Sequence, residues 1–369
     1  MRVCRPFRST VSVFRRVAGN NRNSRSSNTE GVASVADPRF YESARPLSIR
    51  ELETLSGASF EELAPDGVSA TGVAPVEAMQ SGHLSYAERK VSHPVAGAIV
   101  FTKPDLAGEL RAAGAIVGVS GNPRAAFARS AGAIYRLKEL TAGEADIHST
   151  ARIFPGAFIS AGAIVGAHAV IEPNAVIGPG VEIGEAAIIR ANAVVSCATI
   201  GDRTEIGSCT VIGKSGFAVV LGADQRIKVP HFGRAIIGSD VSIGASCSID
   251  RGLFDDTSIG DNCQIDNFCQ IAHNVQIGSG TVMAAFAGIS GSTRIGRNCL
   301  FAGRCATTDN ITIGDDVILL ADTAAMYDIP DGERWGGSPA MPARNFLKQL
   351  TQLRKLSGIK GAQGKKARR

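Results

Sequence analysis

Aromatic residues make up only 5% of this 369-residue chain, whereas glycine occurs 42 times. That shortage excludes a core filled by large rings and points to a narrow interior of Ile, Val and Ala. No apolar run approaches the roughly 20 residues that span a bilayer, so a transmembrane protein is not expected. The eight cysteines form no Cys-x-x-Cys pair and no Cys/His ligand cluster, so no zinc site and no cofactor are indicated. Acid is absent from residues 1–29, which carry seven Arg, and from residues 354–369, which carry seven Lys or Arg. Removing those fourteen cations from the net +5 leaves −9 for residues 30–353. The body is therefore acidic and both ends are basic. A basic tail suits a polyanion, a membrane surface or an acidic protein, or is simply a solvated end. Residues 1–30 have the Arg-rich, Ser-rich composition of a mitochondrial transit peptide and lack the apolar stretch of a secretory signal. Residues 1–36 are accordingly expected to be a disordered basic extension.

What the chain does have is a period of six. Aliphatic residues stand at 147, 153, 159, 165, 171, 177, 183, 189 and 195, resume at 200, 206 and 212, and return at 237, 243 and 249. A second slip leads to Ile259, Ile265, Ile271, Ile277, Met283, Ile289 and Ile295, then on to Leu319. Neither helical nor strand periodicity produces this spacing. A short strand followed by a turn does. Three such units close a coil of 18 residues, and stacked coils bury a continuous aliphatic column. The fold class expected is mainly β: a parallel β-helix of hexapeptide repeats over residues 142–330. Gly commonly follows the aliphatic residue, which suggests corners that need a permissive backbone. Cys247, Cys263, Cys269, Cys299 and Cys305 fall on one phase and read as small buried thiols in a reducing compartment.

Residues 213–235, "GKSGFAVVLGADQRIKVPHFGRA", interrupt the repeat and are expected to leave the coil as an external hairpin or loop. Residues 37–141 read as a small α/β domain. "PLSIRELETLSGA" (46–58) carries a capping box, Ser48 with Glu51. "AGAIVFT" and "GAIVGVS" read as buried strands, and Asn122-Pro123 opens a helix to about residue 131. Residues 331–369 are a C-terminal helix and basic tail, with Phe346, Leu347, Leu350, Leu353 and Leu356 on one side of the helix. Such a stripe needs a partner. Open flanks of a solenoid are suited to covering by identical copies, so a homotrimer with a site at each junction is expected.

"DNFCQIAHNVQIG" (266–278) places His273 two residues after the buried Ile271, at a phase that points outward. Gly291 follows by 18 residues, one coil on, and is expected to stack beside the ring. Asp266 precedes it by one unit and is expected to orient the imidazole. A neutral histidine can take a proton from an amine nucleophile, and a backbone N–H at Gly291 can face a developing oxyanion. Together these suit acyl transfer. On residue type alone a junction histidine without a reactive role fits as well. His231 in "VPHFG" reads as a packing residue of the insert, and Asp250-Arg251 with Asp255-Asp256 as a salt-bridged corner.

Four stretches resemble the UDP-3-O-(3-hydroxyacyl)glucosamine N-acyltransferase family: "VSATGVAPVEAMQSGHLSY" (68–86), "VPHFGRAIIGSDVSIGASCSIDRG" (229–252), "DDTSIGDNCQIDNFCQIAHNVQIG" (255–278) and "GSPAMPAR" (337–344). The resemblance covers roughly residues 37–355 and implies that the coil is left-handed. It implies transfer of a 3-hydroxyacyl group from acyl carrier protein to the 2-amine of a UDP-3-O-acylglucosamine, a step of lipid A biosynthesis in the bacterial cytoplasm, with no cofactor or metal. It assigns His273 as general base, Asp266 as its supporting carboxylate and Gly291 as the oxyanion glycine. Tyr86, Phe217, Asn267, Gln270 and Asn310 are implied as substrate-binding residues, and the domain over 37–141 as the holder of the uracil end. The basic helix, with Lys348, Arg354 and Lys355, would meet the acidic carrier protein; nucleic acid is not expected as a partner. Three positions depart from the family pattern. Asn310 stands where a second histidine is usual. "YAERKV" (86–91) supplies Tyr86 without the usual Asn and Tyr. "SGFA" (215–218) replaces Asp-Gly-Phe-Gly. Two alternatives therefore stand beside this reading: a hexapeptide acyltransferase with another sugar-nucleotide acceptor, and an inactive trimeric scaffold. A γ-class carbonic anhydrase relative would need three zinc-binding histidines, and only His273 lies in the second half of the coil.

Overall fold

A computed structural model describes residues 36–60, 67–222, 225–337 and 340–358. The extension 1–36 expected at the N-terminus and the basic tail beyond residue 358 lie, but for Ala36, outside the described residues. The repeat forms three parallel sheets that share one interior. The first face has ten strands, from Arg152–Ile153 to Arg334–Trp335. The second has nine, from Phe158–Ile159 to Ala324–Ala325, and the third nine, from Asp146–Ile147 to Thr312–Ile313. The chain runs first, second, third face in every coil, so residues 18 apart pair in register, as Ile153 does with Ile171. The inward residue of each two-residue strand is the aliphatic of the hexad, and the column from Val165 to Leu319 is almost fully buried. The last rung, Arg334–Trp335, lies beyond residue 330. It pairs with Ile318–Leu319 although the spacing of six has lapsed there.

The corners differ from the expected role of glycine. The backbone turns through a left-handed residue that is mostly Asn, Asp, Ser or Arg, such as Asn262, Asn274, Ser292, Asn298 and Asp316. Short polar side chains tolerate that region. Apart from Gly213, at φ 79°, the glycines after the aliphatics have ordinary φ. What they provide is closeness between coils. A Cβ at Gly184 would stand 2.6 Å from the Asp202 backbone nitrogen, and one at Gly260 2.7 Å from that of Ser279.

Before the coil lies a four-stranded parallel sheet, in the order Gly72–Val73, His83–Ala87, Ile99–Thr102, Ile116–Val119. Three helices accompany it: α1 (Ile49–Ser56), α2 (Pro104–Ala112) and α3 (Pro123–Ala131). The capping box holds α1, with the Ser48 hydroxyl accepting from the Glu51 N–H and Glu51 accepting from the Ser48 N–H. Asn122 caps α3 by accepting from the Ala125 N–H. Ion pairs tie this region to the coil. Asp37 accepts from both Arg39 and Arg234, Arg234 also reaches Asp256, and Arg39 meets Glu182. The interruption begins after Val211–Ser215 of the second face, folds into an antiparallel hairpin of Val219–Leu221 with Arg226–Lys228, and returns at Ala235–Ile237 of the third. The helix α4 (Ala343–Leu356) contains no buried residue, and its Phe346, Leu347, Leu353 and Leu356 are all exposed.

Candidate active site

The edge between the second and third faces carries every departure from the regular coil. The insert leaves there, the chain loops out again over residues 252–256, and one coil later come Ala272, His273 and Asn274. Gly291 and Asn310 follow on the same edge.

His273 is half-buried, and its Nδ1 lies 3.0 Å from Asn274 Oδ1. The orientation of that amide is fixed independently. Oδ1 accepts from the Leu253 N–H at 2.9 Å, and Nδ2 donates to the Asp255 carbonyl at 3.1 Å. Oδ1 only accepts, so Nδ1 of His273 must carry the hydrogen and Nε2 the lone pair. The ring is thus preset as a base through Nε2. Asn274 was not picked out by its sequence, where an Asn at a corner reads as a turn residue. The available signal was its adjacency to the outward histidine.

Gly291 packs against the imidazole. A Cβ there would lie 2.9 Å from Cε1 and 3.0 Å from Nε2 of His273. Elsewhere the corresponding corner N–H is capped by a side-chain oxygen one coil on: Ala245 by Asn267, Arg297 by Asp315, Ser239 by Asp261. Because residue 291 has no side chain, the His273 N–H has no such cap. Among the described residues no acceptor meets the Gly291 N–H either, so two stacked donors remain at this edge.

Asp266 does not orient the imidazole within its own chain. It sits on the edge between the first and second faces, and its Oδ1 accepts from the N–H and Nδ2 of Asn267. The reason is the coil itself, in which one hexad's shift moves a residue to another edge. Asn267 is occupied as the cap of Ala245, and Gln270 points outward from the second face. Asn310 is exposed, two coils beyond Asn274, with its N–H on the Gly291 carbonyl. Phe217 is 86% exposed, at the start of the insert beside Gly216. A Cβ at Gly216 would touch both His273 and His231.

Tyr86 lines a cleft of about 440 Å³ with Pro75, Glu77, Glu88, Lys90, Leu253 and Phe254. Its ring packs 5.3 Å from Phe127, which packs 5.4 Å from Phe254. Burial, with the neighbouring Asp256 and Glu77 carboxylates, pushes the Asp255 carboxyl up. The segment 253–255 therefore does two things: it walls the cleft, and it clamps the amide that holds the imidazole. Among the described residues no group of three or more His, Cys, Asp or Glu could hold a metal ion, and no helix is long and apolar enough to cross a membrane.

Residues 162–197 and 256–291 match the family described as bacterial transferase hexapeptide (six repeats). The UDP-3-O-acylglucosamine N-acyltransferase of Maricaulis maris (strain MCS10) is 44% identical over 344 residues, 90% of this chain and all of that protein. The enzyme of that name from Caulobacter vibrioides (strain NA1000 / CB15N) is 38% identical over 341 residues, 89% of this chain and all of its own. Among solved structures, LpxA from Acinetobacter baumannii is 22% identical, with a TM-score of 0.42 over 59% of this chain and 85% of that one. The Arabidopsis UDP-N-acetylglucosamine acyltransferase is 20% identical, with a TM-score of 0.45 over 60% and 92%. The chain belongs to the UDP-3-O-acylglucosamine N-acyltransferase family.

Proposed function

We propose that the protein transfers a 3-hydroxyacyl group from acyl carrier protein to the 2-amine of UDP-3-O-(3-hydroxyacyl)glucosamine, in the cytoplasm, as a homotrimer. The observation that carries this reading is the His273 tautomer. Its Nδ1–H is committed to Asn274, which leaves the Nε2 lone pair available at an edge that also presents uncapped N–H groups. The amine nitrogen attacks the thioester carbonyl, and Nε2 takes a proton from it as the C–N bond forms. The carbonyl oxygen gains charge and is stabilised by the Gly291 N–H. The C–S bond then breaks, and the imidazolium returns its proton to the departing thiolate. Tyr86 and the cleft around it hold the uracil end. Asn310, Asn267, Gln270 and Phe217 are assigned to the substrate's polar and acyl parts. Arg344, Lys348, Arg354 and Lys355 on α4 present positive charge to the acidic carrier protein.

Purified protein given the carrier-protein thioester and the UDP-3-O-acylglucosamine should form the N-acylated product. His273→Ala should lose a factor of about 10² to 10⁴ in kcat, the range for a positioned base, with its thermal unfolding unchanged. Full turnover by that variant would remove the base. Transfer only to a different amine would replace the acceptor.

A further inference from the structure

We infer that His231 is a positioning residue for the reaction, a fixed neutral imidazole whose lone-pair end faces His273 and stabilises it when it takes up the proton. The inference rests on His273 being the base.

His231 lies in the last stretch of the insert, between the hairpin and Ala235, and is 2% exposed. Its Nδ1 lies 3.0 Å from the Val229 carbonyl oxygen and 3.2 Å from Ser215 Oγ. A carbonyl only accepts, so Nδ1 carries the hydrogen and Nε2 the lone pair. That Nε2 is buried and has no hydrogen-bond partner among the described residues. The two imidazoles stand edge to face, with centroids 5.1 Å apart at 68°. A Cβ on Gly216 would be 2.8 Å from His231 Nε2, 2.8 Å from His273 Cβ and 2.9 Å from its Cδ2. The lone pair and that edge of His273 therefore border one space, which Gly216 keeps free of any side chain. The backbone of His231 is equally fixed, since its carbonyl accepts from Tyr41 Oη at 2.9 Å and Arg251 Nε at 3.2 Å.

The charged and titratable groups around it are few. Arg251 is held on the carbonyls of His231 and Gly213, Lys214 is paired with Asp250, the Tyr41 hydroxyl donates to the His231 carbonyl, and His273 completes the set. Burial first, then the His273, Arg251 and Lys214 charges, push the His231 imidazole down to about 3. It stays neutral while His273 acts. With Nδ1–H turned toward Val229, the ring's dipole presents its negative end to His273. An unpartnered buried acceptor is costly in a resting protein. Here it faces the position where positive charge develops during turnover, which is the logic of a preorganised dipole.

The test is the pH dependence of kcat/KM in the wild type, His231→Leu and His231→Gln. Removing the dipole destabilises the imidazolium, so the acid limb in His231→Leu should move to lower pH. The shift should be about half a pH unit, the size for a dipole about 5 Å from a charge at an effective dielectric near 20. The plateau should fall several-fold. His231→Gln retains an acceptor oxygen and should restore the limb. An unmoved limb in His231→Leu would make His231 a packing residue and overturn the inference. A limb moved to higher pH would show that His231 carries charge, and would overturn it too. Nitrogen-15 NMR of the wild-type histidines reads the same question without substitution: His231 should be the Nδ1–H tautomer and stay neutral through pH 5, and titration there would refute it. Activity surviving His273→Ala would sink the base itself. Activity lost in that variant with an unmoved limb in His231→Leu would sink this inference alone.

Discussion

At the scale of single residues, Gly291 and His231 make separable claims. Gly291 is the surface on which the His273 ring lies, so Gly291→Ala places a methyl 2.9 Å from Cε1 and 3.0 Å from Nε2. The ring must swing off Asn274 Oδ1, and misplacement on the scale of 1 Å lowers rates by about 10². Steady-state kinetics should therefore show a kcat loss of that order in Gly291→Ala, while circular dichroism and the melting midpoint stay close to wild type. His231 makes a stability claim with a definite sign. Its pKa falls from 6.5 in the unfolded chain to about 3 when folded. The unfolded state therefore binds the extra proton, and the stabilisation is complete above pH 6.5 and lost as the pH drops toward 3. Denaturant titrations should show a stability slope in that window steeper than that of His231→Gln by up to about 1.4 kcal/mol per pH unit. His273 and Gly291 were legible because spacings of two and eighteen give phase in a coil. Asn274 was hidden because a left-handed corner asks for Asn whatever its amide later binds. His231 was hidden because its neighbour is brought from 42 positions away by an insert that has no period.

At the scale of elements, the strands were legible and the role of the glycines was not. One aliphatic every six residues states which atom faces in, and the three faces follow from it. A Gly beside that aliphatic is compatible with a left-handed corner or with close approach, and sequence cannot separate the two. The structure separates them: the corners turn on residues such as Asn262 and Asp316, while Gly184 and Gly260 lie under the next coil. This leads to an expectation opposite to the permissive-backbone reading, since Gly184→Ala is strained by crowding rather than by φ. A methyl 2.6 Å from the Asp202 nitrogen must push two coils apart, at a cost of roughly 1–3 kcal/mol. Calorimetry should show the lower melting midpoint. Specific activity per folded molecule should be retained, because residue 184 lies four coils before the His273 edge.

At the scale of the whole molecule, the open question is what lies against the edges of one coil. The exposed apolar side of α4 and the outward edge at His273 both face solvent in a single chain. Asp266 and His273 stand on different edges, so Asp266 reaches an imidazole only in another copy, with the first–second edge of one chain against the second–third edge of its neighbour. In a homotrimer with that arrangement each site takes its histidine from one subunit and its carboxylate from the next. Co-expressed His273→Ala and Asp266→Ala chains then build some junctions with both groups intact, although neither parent has any. Mixed trimers, isolated by two different affinity tags, should show activity well above either homotrimer, with His273→Ala near background. Mixed trimers no more active than their parents, at unchanged sedimentation, would confine Asp266 to its own edge as a partner of Asn267 and leave Asn274 as the group that orients the base.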